Sequence, residues 1–544
     1  MHRCFLVPEL VRMICTQLQL MAFERGIEEG EQEPAMKEYK RTLYRLAITC
    51  QAFKETALDI LWSDIDSLQP LLRCLPVTVD TRTGYIAINR PLGNPDFEIF
   101  QKYACRVRSV SCHSRNVQRG LVRMLCNFPC TPGTTLLPNL KDLVWFDDNE
   151  EIFPYFRFLI PPTLHHLNFS GAAWPHSKLS FISFLHQYLP DLKEFSCAGV
   201  TPGAMPFITE YICNAKQLSS IDIGAPSAKA MTHLMNSPTL RRLTISLPTH
   251  NNWEHAKGTF PSTLNHFVLR TYMLDKAATF LRAVKLSPAH VTVEFKDIAH
   301  GSLVQPFFEK LTKAIDLDKL EEFQYSNPDV EHRTQQPIYD LETLTLTPLF
   351  KFKNLVSVYL ENSRTPLMDD NMAKCIADAW PRLKELRIGT LQWWKTNTGL
   401  PRQSKLTLWG FGYVVQNCRN LVILGLVFDP TTECETIPAH WSNSNIRRLE
   451  VGPSPIDNPV AIAATFVHLL PSLRGVWIDR YEVPIYAPAV DVRVEKWEMV
   501  AEMMRVLASV KDVVRREARR EVREEERGKM LKEMAEASGS KGSG

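Results

Sequence analysis

Few residues in this chain have the types and spacing that bond-making chemistry requires. A phosphate-binding loop needs Gly-x-Gly-x2-Gly or Gly-x4-Gly-Lys-[Ser/Thr], and a serine nucleophile sits in Gly-x-Ser-x-Gly; none of these occurs. What remains are short pairs. His165-His166 has the right atoms for a base or a metal ligand, and Asp147-Asp148 and Asp369-Asp370 for a divalent cation. Each pair stands at a strand-like segment. The spacing predicts His166 on a sheet face and His165 in a turn, with no carboxylate partner, and both aspartate pairs as solvated turns. Trp393-Trp394 lies in a long loop, either capping a core or exposed for contact. The thirteen cysteines are scattered, and the closer pairs, Cys105/Cys112 and Cys126/Cys130, lack further ligands at zinc spacing. The expectation is a chain with no catalytic residue, no metal and no cofactor, whose work is recognition.

The elements that must position such a recognition surface are repeated. A hexad of apolar, two variable, apolar, variable, apolar returns as Leu140–Trp145, Leu164–Phe169, Leu192–Cys197, Leu218–Ile223, Leu240–Ile245 and Leu264–Leu269. It continues as Leu320–Tyr325, Leu355–Leu360, Leu383–Ile388, Leu421–Leu426, Ile446–Val451 and Leu473–Ile478, with Val291–Phe295 a degenerate member. The first six start 24, 28, 26, 22 and 24 residues apart, within the leucine-rich-repeat period of about 20–29. The end of each hexad alternates as a strand does. Helical apolar patterns precede many hexads, and Pro190, Pro238, Pro381 and Pro471 separate the two. Neither strand nor helix buries its apolar face alone; stacked units do. The fold class expected is α/β, a curved solenoid with parallel strands inside and helices outside. Leu341–Leu346 is read as part of an outer segment rather than a strand.

In each hexad the third and fifth residues point away from the helices, onto the concave face. Of these, Arg242, Tyr359, Arg387, Arg448 and Trp477 are of the types that anchor protein partners. Both charge signs are mixed along the face, whereas a nucleic-acid surface is basic throughout. The whole chain, with 63 basic and 60 acidic residues, is equally balanced, so no nucleic-acid partner is expected.

Ahead of the array lie three helical patterns: Leu6–Leu18, Leu43–Phe53 and Ala57–Trp62. Leu10, Ile14 and Leu18 share one face, and Pro8 suits a first helical turn. This stretch resembles an F-box. Leu6, Glu9, Leu10, Ile14 and Leu18 match its first part, Leu43, Leu46, Thr49, Cys50 and Phe53 its second, and Leu58, Leu61 and Trp62 its third. It is similar to the form common in mushroom-forming fungi, with His2-Arg-Cys ahead and Leu68–Leu75 behind. Val7 stands where the family has its first proline, and an acidic insert over 23–40, expected to loop out, separates the first two helices. The resemblance implies docking on a Skp-type adaptor, and through it a cullin, by Leu6, Pro8, Leu10, Ile14, Leu18, Leu43, Leu46, Cys50, Phe53, Leu61 and Trp62. It implies the substrate-recognition subunit of a ubiquitin ligase, non-catalytic itself. The alternative is a repeat scaffold outside any ligase.

The organisation expected is an F-box over 1–66, a linker and cap over 67–135, the solenoid over 136–480, a loop and charged helix over 481–537, and a disordered tail over 538–544. Residues 107–110 read as a first strand, followed by a helix through Leu121 and Leu125. Trp497, Ala501, Met504 and Ala508 form a stripe on the last helix. No apolar run reaches the roughly 18–20 residues that span a bilayer. Single cysteines without a secretory signal read as reduced thiols, so a cytoplasmic or nuclear, non-membrane protein is expected.

Overall fold

The computed structural model describes residues 7–29, 32–79, 86–112, 125, 135–146, 155–169, 174–197, 199–248, 256–296, 301–326, 343–361, 368–390, 404–452, 454–478, 492–507, 509–510, 517, 524 and 529. Leu6, Leu121, Asp147-Asp148, Trp393-Trp394, Ala508 and the tail lie outside them. The chain divides into two compact units, Met1–Leu264 and Asn265–Gly544.

The first unit opens with α1 (Pro8–Glu29), α2 (Gln32–Thr49) and α3 (Gln51–Ser63). Pro8 begins α1, where a missing N–H costs nothing, and the Val7 carbonyl accepts from the amides of Leu10 and Val11. Val11, Cys15, Ala22, Tyr39 and Leu43 form the core of the three helices, with Leu18, Leu46, Phe53 and Leu61 packed against it. The Tyr39 hydroxyl donates to the Cys15 carbonyl at 3.1 Å, which satisfies a polar group inside that core. The expected looped insert is absent: α1 runs on to Glu29 and α2 starts at Gln32. Its Glu, Gln, Lys, Ala and Met residues are good helix formers, so the acidic stretch lengthens both helices.

Behind the helices a parallel series of strands begins with β1 (Asp64–Ile65), β2 (Ser109–Cys112) and β3 (Asp142–Trp145). It continues with β4 (His166–Phe169), β5 (Glu194–Cys197), β6 (Ser220–Ile223) and β7 (Arg242–Ser246). Each pairs with the next in unshifted register, so that Asp142, His166, Glu194, Ser220 and Arg242 form one row. The second unit repeats the plan with β8 (His266–Thr271), β9 (His290–Phe295), β10 (Glu322–Ser326) and β11 (Ser357–Glu361). Next come β12 (Glu385–Ile388), β13 (Ile423–Leu426), β14 (Arg448–Glu450) and β15 (Gly475–Trp477).

Burial alternates along these strands, as the hexad pattern requires. Inward residues meet the helices: Phe195 lies edge-on to Tyr211, Phe267 stacks on Phe280 and Phe323 meets Phe308, while Phe428, just past β13, stacks on Phe411. Polar side chains start several outer helices. Ser227, Asp369, Thr407 and Asn458 each accept an amide hydrogen of the following turn. The helices end at Tyr188, Met235, Ala379 and Leu469, two or three residues before the four prolines. Asp369 and Asp370 are therefore not a solvated turn: Asp369 caps its helix, and both Asp370 oxygens accept from Thr407. Thr343–Lys351 is helical, an outer segment as expected. The fold is an α/β repeat of leucine-rich-repeat type, parallel strands on one layer and helices on the other.

Candidate protein-recognition surfaces

The outward positions of the second unit hold a polar cluster. Register places Gln324, Tyr359, Arg387, Gly425, Glu450 and Trp477 in one row across six strands. The Arg387 guanidinium lies 5.7 Å from the Tyr359 ring centre and that of Arg448 4.4 Å from Trp477. Both converge on Glu450, with Arg448 Nε 2.7 Å and Arg387 Nε 3.4 Å from the same carboxylate oxygen. The ion pairs are close but poorly aligned. Both Nε atoms and Glu450 Oε1 are shut from solvent without a hydrogen bond. Attraction holds the three together while leaving hydrogen-bonding capacity unspent.

Gly425 makes the convergence possible. It lies between Arg387 and Glu450, and a Cβ there would stand 3.1 Å from Thr390 Oγ1 and 3.2 Å from Arg387 Cγ. The absent side chain gives Arg387 room to lean across one strand. At the rim, Glu361 is fully buried and accepts from the Thr390 amide at 3.1 Å and hydroxyl at 2.7 Å. That hydroxyl is also 3.3 Å from Glu450 Oε2; its single proton serves the shorter contact. Burial, followed by the charge of Glu361, pushes the Tyr359 hydroxyl up to about 12.

Four of the five expected partner-binding residues, Tyr359, Arg387, Arg448 and Trp477, are thus brought together. Arg242 belongs to the first unit, exposed at the end of the row through Asp142. In that row His166 is not a histidine without a carboxylate. Its Nδ1 pairs with Asp142, and its Nε2 is 3.6 Å from Glu194. In the second unit His290 pairs with Glu322 at 2.6 Å and stacks on His266 at 4.1 Å. Sequence reading missed these contacts because the partners come from neighbouring repeats. It also missed Lys178, wholly buried with its ammonium 4.4 Å from the Trp174 ring centre.

The second surface is on the N-terminal helices. Leu10 and Ile14 are 40% and 45% exposed, and Pro8 is exposed beside them. Val7, Met13, Met21, Tyr44 and Ile48 are exposed as well, with Met13 and Ile48 both at 67%. The other residues expected to dock are turned inward. Leu43 is buried, and Leu18, Leu46, Cys50, Phe53, Leu61 and Trp62 are half-buried. The N-terminal unit therefore has two apolar faces, one filled by its own core and one open. A joint fixes α3 to the segment that enters β2: Arg106 pairs with Glu55 and Asp59 and donates to the Glu55 carbonyl at 3.2 Å.

Among the described residues, no group of three or more His, Cys, Asp or Glu is placed to hold a metal ion, and no helix is long and apolar enough to cross a membrane. No family model and no curated protein sequence matches the chain. Among solved structures it is similar to the crystal structure of the Rad7 and Elc1 complex in yeast, at 16% identity over 58% of this chain and 77% of that one, with a TM-score of 0.32. It is similar to the TLR13–ssRNA13 complex at 14% identity over 65% and 58%, with a TM-score of 0.31. It is also similar to an LRR protein of Leptospira interrogans at 13% identity over 72% and 100%, with a TM-score of 0.26. These likenesses are too distant to carry an argument about function; the leucine-rich-repeat-type class rests on the strand register and the helix layer.

Proposed function

We propose that the chain is the substrate-recognition subunit of a Skp–cullin–F-box ubiquitin ligase. In this reading the exposed face of α1 and α2 docks on a Skp-type adaptor, which links it to a cullin. The open strand face holds a protein target. The chain performs no bond chemistry; it supplies proximity, the gain that comes from holding a target where a separate conjugating enzyme reaches its lysines. The observation that carries the reading is the open apolar face around Leu10 and Ile14. It stands on a helical unit whose core is already filled, and contiguous exposed apolar surface of this kind marks interaction sites. The F-box-like residues at those positions support it.

The test is co-purification of the full chain with a Skp-type adaptor, beside a Leu10→Glu/Ile14→Glu variant. Both residues are exposed, so the variant keeps its circular dichroism spectrum. Binding by the parent and not by the variant is expected. A parent that does not bind the adaptor overturns the ligase reading and leaves a repeat scaffold that binds proteins through its strands.

A further inference from the structure

We infer that the chain pairs with a second copy of itself through the helix that begins at Val492, the two helices running antiparallel about Ser509. The inference goes beyond adaptor docking and target binding and depends on neither. Residues 492–507 and 509–510 are helical, and the stretch has two apolar faces. Trp497, Val500, Ala501 and Met504 are buried, and the Trp497 indole fastens that face to the Ser454 carbonyl. Val492, Met499, Val506 and Val510 lie on the other side, each about half exposed, with Met503 half-buried among them. Met499, Met503, Val506 and Val510 follow one another by four, three and four residues, and the sequence continues the series at Val513. That spacing is the apolar seam of a helix that packs on another helix. Exposed apolar surface gathered along one stripe marks an interface.

Charge complementarity identifies the occupant. Glu495 and Glu502 are exposed along one border of the seam. Residues 495–502 hold three glutamates and one lysine, a net charge of −2. Residues 516–523 hold four arginines and two glutamates, a net charge of +2. An antiparallel pair centred on Ser509 lays each of these stretches along the other in the second copy. Glu502 then faces Arg516 and Glu495 faces Arg523, and two-fold symmetry makes each pair twice. On the opposite border Arg493 faces Glu521. Along the seam Val506 of each copy meets Val510 of the other, and Met503 meets Val513. The like-charged opposition of Lys496 with Arg520 is relieved because Lys496 donates to the Ile456 carbonyl of its own chain. A parallel pair in register would instead set Glu517 against Glu517 and Arg520 against Arg520 in the seam. The order of charges therefore selects the antiparallel arrangement.

Sedimentation velocity of the full chain reads its mass in solution. The parent is expected at twice the mass of one chain. Val506→Glu/Val510→Glu is expected at the mass of one, with an unchanged circular dichroism spectrum because both residues are exposed. Glu495→Arg/Glu502→Arg is expected to weaken pairing at least about tenfold. Adding Arg516→Glu/Arg523→Glu to that chain restores opposite charges across the pair and is expected to recover it. A parallel pair brings none of these glutamates opposite these arginines, so a double reversal without effect would overturn the arrangement. A parent at the mass of one chain would leave the stripe to a different partner and overturn the proposal. So would a dimer that survives Val506→Glu/Val510→Glu, or a four-residue charge variant that pairs no better than the two-residue one.

Discussion

Gly410 tests how the helices behind the recognition cluster are locked together. It sits inside the helix Leu408–Asn417, where replacing Gly by Ala ordinarily stabilises by about 1 kcal/mol. Here the sign should reverse. An added Cβ would lie 2.2 Å from Asp370 Oδ1 and 2.7 Å from Leu406 Cδ1. Asp370 must move, and in moving it loses the Thr407 amide and the Thr407 hydroxyl, both at 2.8 Å. Two hydrogen bonds to a half-buried carboxylate are together worth about 3 kcal/mol. Shifting the buried Leu406 adds about 1 kcal/mol. After the helix gain, Gly410→Ala is expected to cost roughly 3 kcal/mol. Urea unfolding followed by tryptophan fluorescence measures it, with Trp409 adjacent as reporter. The decisive comparison is the Asp370→Ala background, where only the Leu406 contact remains and the cost of Gly410→Ala should fall to about 1 kcal/mol or less. Equal costs in the two backgrounds, or a stabilised single variant, would refute the reasoning.

Three further outcomes are expected. Leu43→Ala, in the filled core of the N-terminal helices, should cost about 3 kcal/mol in thermal unfolding, while Met13→Ala on the open face should change stability by less than about 0.5 kcal/mol. Arg106→Met should loosen the joint between α3 and the first strands by about 1 kcal/mol, a figure kept small because Glu55 and Asp59 are half in solvent; limited proteolysis after α3 should quicken. Tyr39 and Tyr359 are both pushed from the ordinary 10.0 up to about 12 by burial. The folded chain therefore keeps their protons where the unfolded chain has lost them. Their contribution to stability is complete below about pH 10 and is lost as the pH rises through 12. Tyrosinate absorbance should show late titration that Tyr39→Phe and Tyr359→Phe each reduce.

The strands were legible because their signal has period two and the hexad fixes its phase: Leu386 and Ile388 must face the helices, so Glu385 and Arg387 cannot. The register between strands was also implicit, since hexads stack in step. Three features were not legible, each for a physical reason. On α1 apolar residues occur all around the helix, so periodicity selects Leu10 and Ile14 as readily as Val11 and Cys15, and only packing against Tyr39 and Leu43 shows which pair is inside. The acidic run over 23–40 has a loop's charge but a helix's propensities. The pairing of His166 with Asp142 and Glu194, like that of Arg387 with Glu450 across Gly425, joins residues one or two repeats apart, where no local pattern couples them.

The helical stretch over residues 492–507 bears on how the chain tolerates genetic change. Trp497 is fully buried; its indole donates to the Ser454 carbonyl at 2.9 Å, and its ring meets Phe428 and Phe466. Lys496 donates to the Ile456 carbonyl beside it. A premature stop codon just upstream would leave every outward residue of the described strands encoded. It would nonetheless uncover the rings of Phe428 and Phe466, and exposed aromatic surface of that kind drives aggregation. Late truncating alleles are therefore expected to behave as losses of the whole protein, and reporter fusions to the C-terminus to be tolerated only beyond this helix.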